Sequence, residues 1–438
     1  MRVALLSLVE RTKRHSEGGR GELLVGGRPL IGHQLAQALA LGCRRIAVLV
    51  DQPVADLAPL RHAADLARLR ETADLARLRE TAERAGAQLH IIGSGIDLVP
   101  LVTPADDLIV LADGLFASPD AVLALLGQEQ GVLCFPIDEG LGAGFERIDI
   151  NRAYAGAMHL PGRLVSRLAD LPGEWSVPSA LMRLAVQAGV PLRPAPAQLL
   201  AAGGWRLLAN EADAHRAEQD WVRMHVPASA ITMPGAWLAN LAVRELGPTL
   251  LHAGTRPALI GVGAGLLSLL GVGAGWFGAT SIGLVLVGLA WLVGRATDLL
   301  AEIERAALIR PPVRFRTDGL LDWFFDALFV VLCAWRIEDQ AGSSIGGPAL
   351  AASLFAPLVL FGLLRLLPRI EPRTNGRRWR LGWLADRLIA AGVLAGASAT
   401  LPFGTAVSLI ALALLGLALL VTATADPTSP NPPLTNGE

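Results

Sequence analysis

The sequence predicts two domains in series: a three-layer α/β domain with a mostly parallel sheet, then an all-α membrane domain of six transmembrane helices. Three observations carry this. In the first half, short apolar runs alternate with helical patterns. Beyond about residue 235, apolar segments of bilayer length follow one another. Over all 438 residues the hydrophobic share is 52% and the mean hydropathy is +0.46, which already suggests membrane segments.

RVALLSLV (2–9), RRIAVLV (44–50), QLHIIG (88–93) and DLIVLAD (107–113) are the buried-strand candidates. PLIGHQLAQALALG (29–42) and residues 57–87 read as helices between them. Together they make a first domain over 1–225. Inside it ADLARLRET occurs twice in tandem, at 64–72 and 73–81. A nine-residue shift is about two and a half helical turns, so Leu66 and Leu69 are expected to face opposite to Leu75 and Leu78. Either the duplication merely lengthens a surface helix, or it makes a partner-binding one.

Residues 234–253 read as an amphipathic helix lying at a membrane interface. Six apolar segments then fill 254–423, at roughly 257–274, 277–295, 320–336, 346–364, 383–402 and 404–422. The intervening arginines fall into two loops, Arg295 to Arg316 and Arg365 to Arg380. The positive-inside rule puts both loops, the first domain and the tail on the cytoplasmic side of an inner membrane. The loop 363–380 has two readings, topology signalling or contact with phosphate groups. Residues 424–438 read as a disordered tail. A formal net charge of -1 gives no bulk case for nucleic acid as partner. The three cysteines are widely spaced, which predicts a reduced compartment, no disulfide framework and no cysteine metal site. MRVALLSLVERTKR is too short an apolar run for a signal peptide.

The chemistry is expected where two membrane segments carry acids. In TDGLLDWFFDALFVVLCAW (317–335), Asp318, Asp322 and Asp326 recur every four residues along one helix face. In GRATDLLAEIERAALIR (294–310), Asp298, Glu302 and Arg305 do likewise. Carboxylates near bilayer depth are costly and mark sites. Packed together they repel unless cations neutralise them, and hard divalent ions, Mg²⁺ or Mn²⁺, suit oxygen ligands.

This constellation resembles the CDP-alcohol phosphotransferase family, with six membrane helices and the motif D-x2-D-G-x2-A-R-x8-G-x3-D-x3-D. Anchored on EIER (302–305), Arg305 takes the motif arginine, and Asp318 and Asp322 take its last two aspartates. The first two aspartates become Thr297 and Leu300; a shift of one restores Asp298 only, and Glu302 is the candidate substitute. The resemblance implies metal at Asp318, Asp322, Asp298 and Glu302. It makes Asp322 the catalytic base and Arg305 and Asp326 phosphate or substrate contacts. A CDP-activated alcohol is then the donor, an alcohol or alcohol phosphate the acceptor, membrane lipids are neighbours, and homodimers are common in the family.

The first domain resembles the sugar-nucleotidyltransferase fold, a Rossmann-like α/β architecture. GGRPLI (26–31) matches the segment PKPLLxVGGxPLI that follows its phosphate-binding loop, DDLIVLADGLF (106–116) its metal strand with Asp113, YAGAMHLPGRLVSRL (154–168) its later substrate strand and helix, and GGWRLLANEADAHRAEQDWV (203–222) its closing segment, with Trp205 and Asp213 matched. Arg20, Gly26 and Gly27 are then candidate phosphate contacts. The second metal aspartate is replaced by Leu207, and SLVERTKRHSEGGRGE (7–22) stands in place of the usual glycine-rich loop. The order of the two domains is similar to bifunctional inositol-phosphate cytidylyltransferase and di-myo-inositol phosphate phosphate synthase enzymes. The rival expectation is a non-catalytic descendant, acting as binding partner or scaffold.

Overall fold

The computed structural model describes residues 1–9, 19–50, 75–170, 175–226, 233–252, 257–307, 317–341, 349–367, 373–374, 377–378, 383–384 and 386–424. The first ADLARLRET copy, most of the two arginine loops, the tail and the side chain of Asp318 lie outside the described residues. The chain forms two compact units. One is Met1–His225 with Leu246–Thr255 and Glu302–Pro312; the other is Val226–Glu245, Arg256–Ala301 and Val313–Glu438.

The α/β unit is built on strands β1 (Arg2–Leu8), β2 (Leu24–Val25), β3 (Arg28–Pro29), β4 (Arg45–Val50), β5 (Gln88–Ile92), β6 (Asp107–Leu111), β7 (Leu115–Ala117), β8 (Gly131–Pro136), β9 (Arg152–Pro161), β10 (Leu192–Pro194) and β11 (Trp205–Leu207). The main sheet has seven strands in the order β10-β8-β9-β6-β1-β4-β5. β1 pairs in parallel with β4 and β6, and β4 with β5, while β9 runs antiparallel between β6 and β8. All four strands expected from apolar runs are present, within a residue or two at their ends. The interiors of β1, β4 and β6 are apolar because both faces are covered, whereas β5 lies at the sheet edge and exposes Gln88 and Ile91. Ala4 and Leu6 of β1 enter one core with Ile31 and Leu35, whereas Val3 and Leu5 enter another with Leu164 and Leu181. That is the period of two of a strand sandwiched between helical layers.

The helices of this unit are α1 (Leu30–Ala40), α2 (75–84), α3 (Gly95–Leu98), α4 (Pro119–Leu126), α5 (Ile137–Gly142), α6 (Val177–Gln187), α7 (Gln198–Ala201) and α8 (Glu211–His225). α2 carries the second repeat copy, and its Leu75, Leu78 and Ala82 are buried against the sheet.

Seven helices continue the chain: α9 (Pro234–His252), α10 (Pro257–Trp276), α11 (Thr280–Ala307), α12 (Thr317–Ala341), α13 (Ala349–Leu366), α14 (Arg387–Thr400) and α15 (Phe403–Thr424). Helices stand at all six expected segments. Three of them, Pro257–Trp276, Thr280–Ala306 and Phe403–Leu420, are long and apolar enough to cross a membrane. Two of the others, α14 and α12, differ in length and charge. α14 has 14 residues, about 21 Å at 1.5 Å per residue, and α12 carries Asp322, Asp326, Arg336, Glu338 and Asp339.

Small residues bring the helices of this unit together. A Cβ on Gly283 of α11 would stand 2.6 Å from the carbonyl oxygen of Gly271 in α10. Phe329 of α12 stacks on Phe361 of α13 with centroids 5.3 Å apart. Asp386 caps α14, its Oδ1 accepting from the N–H groups of Leu388 and Ile389 at 3.0 and 3.4 Å. Its Oδ2 accepts from Gly235 and Ala236 at the start of α9, at 2.6 and 3.4 Å. Only glycine fits at 235, because a Cβ there would meet Asp386 Oδ1 at 2.5 Å.

Candidate functional site

The carboxyl ends of β1, β4, β5 and β6 open into a cleft of about 1310 Å³, lined there by Ser7, Leu49, Ser94 and Asp113. A crevice outside the carboxyl ends of parallel strands is where open α/β sheets bind ligands. Asp113 follows β6 directly and is buried. Gly114 turns the chain at φ +74, and a Cβ there would meet the carbonyl oxygen of Leu208 at 2.6 Å and Cδ of Arg20 at 3.1 Å. This close approach lays the Arg20 stem on the residue after Asp113, and both line the cleft. Leu207 of β11, held opposite Leu115 of β7, lines it too.

One side of the cleft is charged and belongs mainly to α8. Arg206 Nη2 reaches Asp220 at 2.6 Å, Arg216 Nη2 reaches Asp213 at 2.8 Å, and Arg223 Nη1 lies 3.7 Å from Asp220. Elsewhere along it Ser179 Oγ donates to Glu146 at 2.7 Å. The Tyr154 hydroxyl is buried in the lining, without a hydrogen-bond partner among the described residues, and burial raises its pKa.

Gly26 and Gly27 do not line this cleft. They form the two-residue turn of the β2–β3 hairpin at φ 61 and 74, the left-handed geometry that such turns demand. Their neighbour is α8: a Cβ on Gly26 would lie 3.6 Å from Trp221. Glu218 of α8 is wholly buried there. The N–H groups of Gly27 and Gly26 face it and favour its charge, yet neither carboxylate oxygen closes a hydrogen bond. Desolvation wins, and the Glu218 pKa is pushed up to about 7. Nothing in the sequence around Glu218 had marked it.

In the helical unit, α11 and α12 pack antiparallel. Trp291 Nε1 donates to Asp322 Oδ1 at 3.1 Å, and a Cβ on Gly294 would lie 3.2–3.3 Å from Leu321 and Phe325. Asp298 stands one turn beyond Gly294 and is half-buried. Asp326 is not open to a ligand. Arg387 grips it through Nε and Nη2 at 2.7 and 2.9 Å, and Arg365 Nε lies 3.3 Å away. Arg365 is itself stacked over the Trp323 ring at 4.1 Å. Glu302 is exposed and Arg305 half-buried, both within the stretch that clusters with the α/β unit. Among the described residues, no three His, Cys, Asp or Glu side chains are grouped to hold a metal ion.

No family model matches the chain, and no curated protein matches it by sequence. Among solved structures, a UDP-glucose pyrophosphorylase from Acinetobacter baumanii is similar at 13% identity and a TM-score of 0.35, covering 51% of this chain and 94% of that one. Likeness at that level carries no argument about substrate or activity. The chain itself shows a mixed α/β sheet unit with a cleft at its strand ends and, among the described residues, three helices long and apolar enough to cross a membrane.

Proposed function

We propose that the protein is a membrane-embedded phosphotransferase of the CDP-alcohol type, with a nucleotidyltransferase-like domain that binds nucleotide. One observation supports the membrane half most. The Trp291–Asp322 bond and the Gly294 contact set α11 and α12 in antiparallel register. One turn further, α11 reaches Asp298 while α12 begins at Thr317, next to Asp318. In this reading Asp318, Asp322 and Asp298 hold divalent metal, which would neutralise a departing nucleotide phosphate. Asp322 takes the proton of the acceptor hydroxyl. Exposed apolar side chains outside the three long spans, among them Leu320 and Phe324 on α12 and Phe355 and Leu358 on α13, support six helices in the bilayer.

The test uses the full chain in detergent with CDP-linked alcohols as donors, following CMP release and thermal stability against Mg²⁺ and Mn²⁺. Asp318→Asn and Asp322→Asn should each abolish release and together remove the metal-induced stabilisation. Full activity in both variants sinks this reading. A second reading, a non-catalytic binding partner or scaffold in the membrane, is favoured by the engagement of Asp326 with two arginines. Metal that neither binds nor stabilises the wild type would select it.

A further inference from the structure

We infer that the cleft of the α/β unit binds nucleotide phosphates without a metal ion, with Arg20 supplying the positive charge beside Asp113. This rests on the reading that the cleft takes a nucleotide. A metal of the kind the nucleotidyltransferase resemblance implies does not fit the side chains present. A hard cation needs several oxygen ligands at once. The strand ends offer Asp113, and Leu207 presents an apolar side chain to the same cleft.

The remaining carboxylates of the lining are already engaged. Asp213 accepts from Arg216 and from the Ala209 N–H at 3.1 Å. Asp220 holds Arg206 and Arg223, and Glu146 accepts from Ser179. Among the described residues no group of three potential metal ligands exists here.

Arginine is present where the cation is missing. The Arg20 stem packs against Gly114, the residue after Asp113, and the side chain is half-buried in the lining. A guanidinium keeps its charge at any working pH and offers a fork of N–H donors that matches phosphate oxygens. The lining is also built to receive a polar ligand. Among the described residues the Tyr154 hydroxyl has no hydrogen-bond partner in it, a state that costs free energy until a ligand group completes the bond. A nucleotide held this way keeps its phosphates bound but lacks the divalent charge that transfer needs, so the cleft retains nucleotide rather than converting it.

The experiment is calorimetric titration of the full-length, detergent-purified protein with CTP and with CDP, in excess EDTA and in excess Mg²⁺. Binding should be as tight in EDTA as in Mg²⁺, or tighter. Arg20→Ala should weaken it at least tenfold. Leu207→Asp, which restores a second carboxylate, should make Mg²⁺ strengthen binding. Circular dichroism and the Leu207→Asp gain keep the outcome readable if Arg20→Ala perturbs the fold. Binding that requires Mg²⁺, or that survives Arg20→Ala unchanged, overturns the inference and leaves the nucleotide reading intact. No binding of either nucleotide in either condition overturns both.

Discussion

Replacing Glu218 by glutamine is expected to stabilise the α/β unit in alkaline solution and to change little in acid. The wild-type carboxyl is wholly buried, and among the described residues no side chain or backbone group closes a well-formed hydrogen bond to its oxygens. Burial is the main cause of its raised pKa, and the N–H groups of Gly27 and Gly26 only partly oppose it. Because the folded value is raised from 4.5 to about 7, the folded state holds its proton more tightly than the unfolded chain does. The resulting stability is complete below pH 4.5 and is lost as pH rises through 7. At about 1.36 kcal/mol per pH unit, the full loss is ~3 kcal/mol. For a unit of this size that corresponds to roughly 6–12 °C in melting temperature. The assay is thermal unfolding of the full chain in detergent at pH 5 and pH 8, with hydrogen exchange in the 19–30 and 211–225 peptides to assign the transition. Glu218→Gln should melt near wild type at pH 5 and several degrees above it at pH 8. A difference that does not change with pH, or a variant less stable at pH 8, refutes the reasoning.

His33 should give the opposite limb. Burial lowers its pKa from 6.5 to about 4, against a raising hydrogen bond to the Val25 carbonyl. The folded state therefore resists protonation, stability falls as pH drops below 6.5, and His33→Gln should flatten that fall in the same melts. Asp326→Ala removes the carboxylate that buried Arg387 and half-buried Arg365 share and should cost about 3–5 kcal/mol; Arg365→Ala, on the longer 3.3 Å contact, should cost less. Equal melting of Asp326→Ala and wild type in detergent would show the cluster adds nothing. Removing one ADLARLRET copy yields the same sequence whichever copy is cut, and the Leu75, Leu78 and Ala82 face survives. Melting should shift by no more than the ~0.5 kcal/mol of a surface change, and a larger loss would show that the upstream copy packs.

The strands that pair in parallel at the sheet centre were legible because a strand buried on both faces needs an unbroken apolar interior, as VALL in β1 and LIVL in β6 are. β8 escaped notice although GVLCFP is a short apolar run of the same kind. Asp113 was legible as the acid that ends β6, and the resemblance placed Arg20 in the cleft. The turn glycines were read as phosphate contacts, but two glycines between paired extended residues form a hairpin turn on local grounds alone. The partners of the membrane acids could not be read. Trp291 lies 31 residues from Asp322 and Arg387 lies 61 from Asp326, and no local pattern encodes such pairs. Tyr154 had one signal, as the sole tyrosine of the chain.

The cap at Asp386 bears on the order in which the helical unit is assembled. α14 is too short to cross a ~30 Å hydrocarbon core unaided, and it opens with two buried charges, Asp386 and Arg387. Asp386 is answered from α9 by Gly235, and Arg387 from α12 by Asp326. Before those partners arrive, both charges lack the groups that answer them in the packed unit. The α10, α11 and α15 spans need no such escort. Docking of α14 is therefore a closing step of this unit, admitted only once α9 and α12 stand ready to receive it.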